Sequence, residues 1–239
     1  MQCCAICPAA LIFIQLCIAQ ISEGADAPRE VRIAVIGDST VCEYPATSNI
    51  RGWGHFLAAA FQSHVRVINL AKSGRSTKTF IKEGLWTKTL AEKPDFVLIQ
   101  FGHNDSHAKE RPESTDAATD YRDFLRRYVD EARAGGATPV LVTPMHRRSF
   151  DKDGKVTQEL LPYAEAMKLV AKEKQVALVD LHGASGELFQ KLGDAGSADL
   201  SCSATDRTHF SEKGAKVMAE LVRKTMPIVE PRLAALLKL

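Results

Sequence analysis

The chain has 239 residues, with 31 Lys and Arg against 29 Asp and Glu, a formal net charge of +2; 45% of residues are hydrophobic and 25% charged. These proportions belong to an ordinary globular protein and exclude a disordered tail, a collagen and a supercharged nucleic-acid binder. The length suits one domain with a sizeable core, or at most two small ones.

Residues 1–21 hold no Asp, Glu, Lys or Arg, and Ala9 to Ala19 is apolar apart from Gln15. That run is shorter than the ~20 apolar residues of a membrane span and matches the hydrophobic part of a secretory signal, although no Lys or Arg precedes it. Small residues place cleavage after Ala19 or after Gly24. Residues 1–24 are therefore expected to be a leader. The mature chain is then secreted or periplasmic, with no stable membrane insertion, and 28–239 forms a single domain. The alternative is a buried amphipathic helix or a retained anchor. Cys3, Cys4, Cys7 and Cys17 would leave with the leader, and Cys42 and Cys202 remain. Two cysteines make no disulfide framework, and their spacing fits no zinc signature.

After Pro28 the pattern alternates. Short β-branched runs at 31–37, 66–71, 95–102, 138–144 and 176–181 read as strands, and their continuous apolar character suits parallel strands covered on both faces. Between them, 54–63, 119–134, 162–174 and 211–224 carry apolar residues at helical spacing, with Gly135-Gly136 ending the second. Ser211 is a candidate N-cap, and Leu233 to Leu239 reads as a last helix docking on the core. Strand–helix alternation of this kind predicts one α/β domain with a parallel sheet and helices on both faces.

Polar clusters stand at the strand ends: Gly37-Asp38-Ser39-Thr40, then Asn69 to Phe80, then Gly102-His103-Asn104-Asp105; Asp206-Arg207-Thr208-His209 precedes the last long helix. In an open parallel sheet the carboxyl ends share one edge, so distant clusters can meet in one crevice. There Ser39, His209 and Asp206 can form a nucleophile–base–orienter relay, since one turn brings Asp206 to His209 Nδ1. Gly74 and Asn104 can supply oxyanion donors. Each residue also has a blander role: Ser39 as a helix cap, His209 as a surface or core imidazole, Asp206 as a carboxylate near a helix start, Gly74 and Asn104 in turns. Asn104-Asp105-Ser106 also spells a glycosylation sequon, read here as chance. If the relay forms, Cys42 and Cys202 neighbour one pocket, leaving a disulfide or two buried thiols as alternatives.

Four blocks in this order resemble the SGNH (GDSL-type) hydrolases: GDST at 37–40, Asn69-x₄-Gly74-x-Ser76-x₃-Phe80, GHND at 102–105 and Asp206-x-x-His209. Arg51-Gly52-Trp53-Gly54, the Gly-Arg-Ser-Thr-Lys-Thr-Phe run and Arg147-Arg148 are similar to the rhamnogalacturonan acetylesterases in particular. The resemblance spans Val31 to about Lys224. It implies a flavodoxin-like three-layer α/β/α sandwich with a five-stranded parallel sheet, and deacetylation of a pectic polysaccharide, rhamnogalacturonan; another acetylated glycan such as acetylxylan, or a lipid-like ester, is the alternative substrate. It also implies Ser39 as nucleophile, His209 as base, Asp206 as orienter and Ser39, Gly74 and Asn104 as oxyanion hole, with no metal or organic cofactor. A pectic substrate carries carboxylates, so Arg147 and Arg148 are candidate substrate contacts; the alternative is a solvated pair on a loop.

Other classes have less support. No G-x-G-x-x-G, Walker A or G-x-S-x-G run is present. His103, Asp105 and His107 could hold a metal, but the segment reads as loop. Trp53 and Trp86 could stack on sugars in a non-catalytic carbohydrate-binding module, but both sit among apolar residues.

Overall fold

The computed structural model describes residues 28–238; the expected leader lies outside the described residues. Strands β1 (Val31–Gly37), β2 (Val65–Asn69), β3 (Phe96–Gln100), β4 (Thr138–Val142) and β5 (Ala177–Val179) form one sheet in the order β2-β1-β3-β4-β5, every pair parallel. All five expected strands form; β1 keeps both expected ends, and the ends of the others shift by at most two residues, as the hydrogen-bond ladder sets them rather than apolar content.

Alternation along the central strands divides the core into two layers. Ile33 and Val35 of β1, Leu98 of β3, and Val140 and Val142 of β4 face one layer, together with Trp53, Phe189, Met218 and Val222. Ala34 and Ile36, Val97 and Ile99, and Leu141 face the other, with Phe80, Trp86, Tyr121, Tyr128 and Met167. The first layer is closed by α1 (Gly54–Leu57), α6 (Leu181–Gly196) and α7 (Glu212–Val229), and the second by α2 (Thr77–Lys82), α3 (Leu85–Ala91), α4 (Asp120–Ala134) and α5 (Leu161–Lys174). Each fully buried side chain of this size stabilises by roughly 1.5–3 kcal/mol, so both sheet faces require their helices.

Three helices were not expected. α2 and α3 are short and meet at Gly84, and α6 carries Gly183, Gly186 and Gly193, which weaken a helical pattern. The C-terminal helix α8 (Pro231–Ala234) is only four residues long, and Leu237 then bridges to Phe61. Both tryptophans are core residues: Trp53 donates to Gln100 Oε1 and Trp86 to Glu131 Oε2, each at 2.7 Å. Neither offers a stacking platform for a sugar.

Candidate active site

The chain turns sharply where β1 ends. The Val41 and Cys42 N–H groups both donate to the Asp38 carbonyl at 3.1 Å. A Cβ at Gly37 would lie 2.6 Å from the Gln100 carbonyl oxygen, so glycine lets β3 close beneath the turn. Ser39 stands on this turn and caps no helix, since α1 begins at Gly54. Its carbonyl accepts from the Tyr44 hydroxyl at 2.9 Å. Its Oγ meets His209 Nε2 at 2.9 Å, and His209 Nδ1 meets Asp206 Oδ2 at 2.8 Å.

Asp206 is arranged to stay ionised. Its Oδ1 accepts the N–H groups of Thr208 and His209, each at 2.7 Å. Burial alone would raise this carboxyl, but the His209 N–H, the His209 ring and the Thr208 N–H overcome it and hold the pKa at about 2. An ionised Asp206 accepts from Nδ1–H, which leaves the Nε2 lone pair toward Ser39 Oγ. A hydroxyl, an imidazole and a carboxylate in this hydrogen-bonded series can carry out acyl transfer through a covalent serine ester.

The expected oxyanion donors come from two neighbouring loops. Lys72 N–H donates to the Gly37 carbonyl at 2.9 Å, which draws the loop after β2 against the end of β1. Gly74 within that loop has φ +77°, where a side chain is strained. Asn104 Nδ2 donates to the Arg75 carbonyl at 3.0 Å, joining the loop after β3 to the Gly74 loop and leaving its other amide hydrogen uncommitted. Asn104 is buried and so engaged, which disfavours the sequon as a glycan site. Beneath it, Asp105 Oδ1 accepts from the Thr77 N–H at 3.1 Å, the Thr77 hydroxyl and the Thr115 hydroxyl. Burial pushes this carboxyl up to about 7 despite those donors.

The other candidates are placed differently. Arg148 is a candidate substrate contact or solvated loop residue by sequence, but its side chain is only 3% exposed. It donates to Ser201 Oγ at 2.7 Å, to the Asp194 carbonyl at 2.9 Å and to the Asp194 carboxylate, so no free fork remains for a sugar carboxylate. Arg147 has its nitrogens on Thr208 Oγ1, the His103 carbonyl and Glu159. Cys42 and Cys202 are both free thiols; burial raises both, Cys202 to about 11 with Asp206 beside it. His103 faces Asp38, His107 pairs with Glu113 and Asp105 binds threonines, so this trio does not converge on a common point. Among the described residues no group of three His, Cys, Asp or Glu is placed to hold a metal ion, and no helix is long and apolar enough to cross a membrane. Sequence reasoning gave Asp38 and Thr208 no role of their own and weighed His103 only as a metal ligand. Their signal is that each immediately precedes a site residue.

A parallel α/β/α sandwich with this hydrogen-bonded series on the carboxyl edge of its sheet has the form of a serine-type acyl hydrolase. The match of residues 35–217 to the GDSL-like Lipase/Acylhydrolase family model shows that the chain belongs to that family of ester hydrolases. It is 39% identical over 198 residues to the "Probable rhamnogalacturonan acetylesterase YesY" of Bacillus subtilis, covering 80% of this chain and 90% of that protein. To the "Rhamnogalacturonan acetylesterase RhgT" of the same organism it is 37% identical over 210 residues, covering 81% and 88%. Among solved structures, the YXIM protein of Bacillus subtilis superposes with a TM-score of 0.74 at 27% identity, covering 85% of this chain and 58% of that one. The acetylxylan esterase Axe2 of Geobacillus stearothermophilus does so with 0.64 at 23%, covering 82% and 94%, which establishes the shared fold.

Proposed function

We propose that this chain is an exported esterase that removes acetyl groups from an acetylated pectic polysaccharide, rhamnogalacturonan, through an acetyl-enzyme on Ser39. The Ser39–His209–Asp206 hydrogen-bond series carries the reading of the mechanism. Ser39 Oγ attacks the acetyl carbonyl carbon while His209 Nε2 takes its proton. The tetrahedral oxyanion rests against the Ser39 and Gly74 N–H groups and the Asn104 amide. The C–O bond to the sugar breaks, and the sugar oxygen leaves with the proton from His209. Water, deprotonated by the same imidazole, then attacks the acetyl-enzyme and releases acetate and Ser39.

The two relatives named for rhamnogalacturonan support the substrate, because the match spans 90% and 88% of their lengths. A relative at 27% identity, the acetylxylan esterase of Xylanibacter ruminicola, is matched over 43% of its length, so acetylxylan is the competing substrate. A polymeric substrate lies outside the cell, which agrees with the charge-free apolar residues 1–21.

Acetate release from acetylated rhamnogalacturonan, acetylxylan and deacetylated pectin as blank tests the proposal. The expected order places rhamnogalacturonan first, and faster release from acetylxylan would replace the substrate. Ser39→Ala should lower kcat by several orders of magnitude and abolish labelling by a fluorophosphonate. Near-normal turnover by folded Ser39→Ala would remove the acyl-enzyme mechanism.

A further inference from the structure

Ser39, Asn104 and His209 are each preceded by a polar neighbour to which the proposed mechanism gives no chemical step. Asp38 precedes Ser39, His103 precedes Asn104 and Thr208 precedes His209. Asp38 and His103 are buried. Asp38 Oδ1 accepts the Thr40 N–H at 2.9 Å and the Thr40 hydroxyl at 2.7 Å, while its Oδ2 faces His103 Nδ1 at 3.4 Å. Burial lowers the pKa of the His103 imidazole, opposed by the Asp38 carboxylate and reinforced by the Arg147 charge.

Arg147 completes the set. Its Nη2 donates to the His103 carbonyl at 3.1 Å, its Nη1 donates to the Thr208 hydroxyl, and its Nε faces Glu159 at 3.3 Å. One guanidinium thus joins the loop after β3, the loop after β4 and the loop before α7. Asp38 and His103 approach each other beside this set, on the side of the turn after β1, without a hydrogen bond between them. A guanidinium presents its donors in a rigid plane, so the separation of its two acceptors is fixed by its own geometry. The backbone of the His209 loop is held independently, by Cys202 N–H on the His209 carbonyl at 3.1 Å and Arg148 N–H on the Arg207 carbonyl at 2.7 Å. Loss of the Arg147 side chain therefore loosens the alignment without removing the loop's fold.

We infer that Arg147 is a positioning residue: it sets the distance between the His209 loop and the Asn104 loop. The inference rests on the roles proposed above for Ser39, His209 and Asn104. It replaces the expectation that Arg147 binds a sugar carboxylate, because every nitrogen of the fork already has a partner within the fold.

The test compares Arg147→Met, Arg147→Lys, Thr208→Val and the double variant Arg147→Met/Thr208→Val. Turnover is followed on p-nitrophenyl acetate and on acetylated rhamnogalacturonan. Arg147→Met should lower kcat about 10- to 100-fold on both substrates, the scale of a small misplacement of reacting groups, with KM changed by less than about two-fold. Arg147→Lys should not restore the rate, since an ammonium lacks the planar fork. The double variant should be no slower than Arg147→Met, because Arg147→Met already removes the Arg147–Thr208 contact that Thr208→Val deletes. If Arg147→Met does not fold, Thr208→Val carries the same test: a lower kcat on both substrates at unchanged KM, recovered in Thr208→Ser. Additive losses overturn the inference. So does a KM rise confined to the acidic polysaccharide, which would return Arg147 to substrate binding. Failure of the underlying mechanism is seen separately, as wild-type protein that a fluorophosphonate does not label at Ser39.

Discussion

Asn104 connects structure to chemistry through two hydrogens on one nitrogen. One is spent on the Arg75 carbonyl at 3.0 Å, and that bond aims the other. In the proposed mechanism that second hydrogen acts on charge that exists only in the transition state. Asn104→Ala should therefore lower kcat by about 10²–10³ with little change in KM. Steady-state kinetics on p-nitrophenyl acetate check it, and a pure KM effect would assign Asn104 to substrate binding instead. The residues brought together here were readable because chemistry and chain order agree: an Asp three places before a His needs one turn to reach its ring. Arg148 was not readable. Nothing at its position in the sequence signals that Asp194 and Ser201, on a helix and a turn far along the chain, come to meet its guanidinium. Asp38 and His103 were hidden for the same reason, since a polar residue becomes a buried partner only when another strand end lies beside it.

The strands and the longer helices were legible because each has a period that burial enforces. The 3.6-residue stripe of α4 buries Tyr121, Leu125, Tyr128 and Val129. α2 and α6 obey caps rather than stripes. Ser76 exchanges hydrogen bonds with Thr79, and the Asp180 carboxylate accepts the Gly183 N–H, so their starts are fixed by side chains whose partners lie within one turn. α7 combines both signals. Ser211 Oγ accepts from the Gly214 N–H at 3.2 Å and donates to the Asp199 carbonyl at 2.7 Å. This cap follows His209 by two residues and anchors the end of the loop that bears it. Ser211→Ala should cost about 0.5–2 kcal/mol, as loss of an N-cap does. Urea denaturation measures it, and an unchanged midpoint would mean that the turn itself holds the helix start.

At the scale of the whole molecule, the carboxyl edge of the sheet carries a titratable pair away from the Ser39 site. His146 and His182 stack with ring centroids 3.7 Å apart. His182 Nδ1–H donates to the Pro144 carbonyl at 3.0 Å, and His146 Nδ1–H donates to the His182 carbonyl at 2.9 Å. His182 Nε2 is buried without a partner, while His146 Nε2 faces Gln158 at 3.3 Å. Asp180 and Lys168 are the charged groups nearest His182 and act in opposite senses on it. Burial, followed by the neighbouring His146 ring, lowers the His182 pKa from 6.5 to about 4; burial lowers His146 as well. A histidine depressed in the fold favours the neutral state there, so its contribution is present above the unfolded pKa and disappears as pH falls toward the folded one. This imidazole should therefore withdraw up to about 3 kcal/mol of stability between pH 6.5 and about 4, while Asp105, whose buried carboxyl is raised to about 7, acts in the opposite sense over the same range. His146 directly precedes Arg147 and Arg148, so protonation of the pair should loosen the loop that carries them. His182→Asn cannot take up the proton, and its amide can still reach the Pro144 carbonyl. It should be less stable than wild type at neutral pH, through lost ring packing, yet show a shallower decline toward acid. Urea midpoints at pH 7 and near pH 4.5 distinguish the cases: parallel declines in the two proteins would place the acid sensitivity elsewhere, whereas convergence in acid would assign it to the buried imidazole.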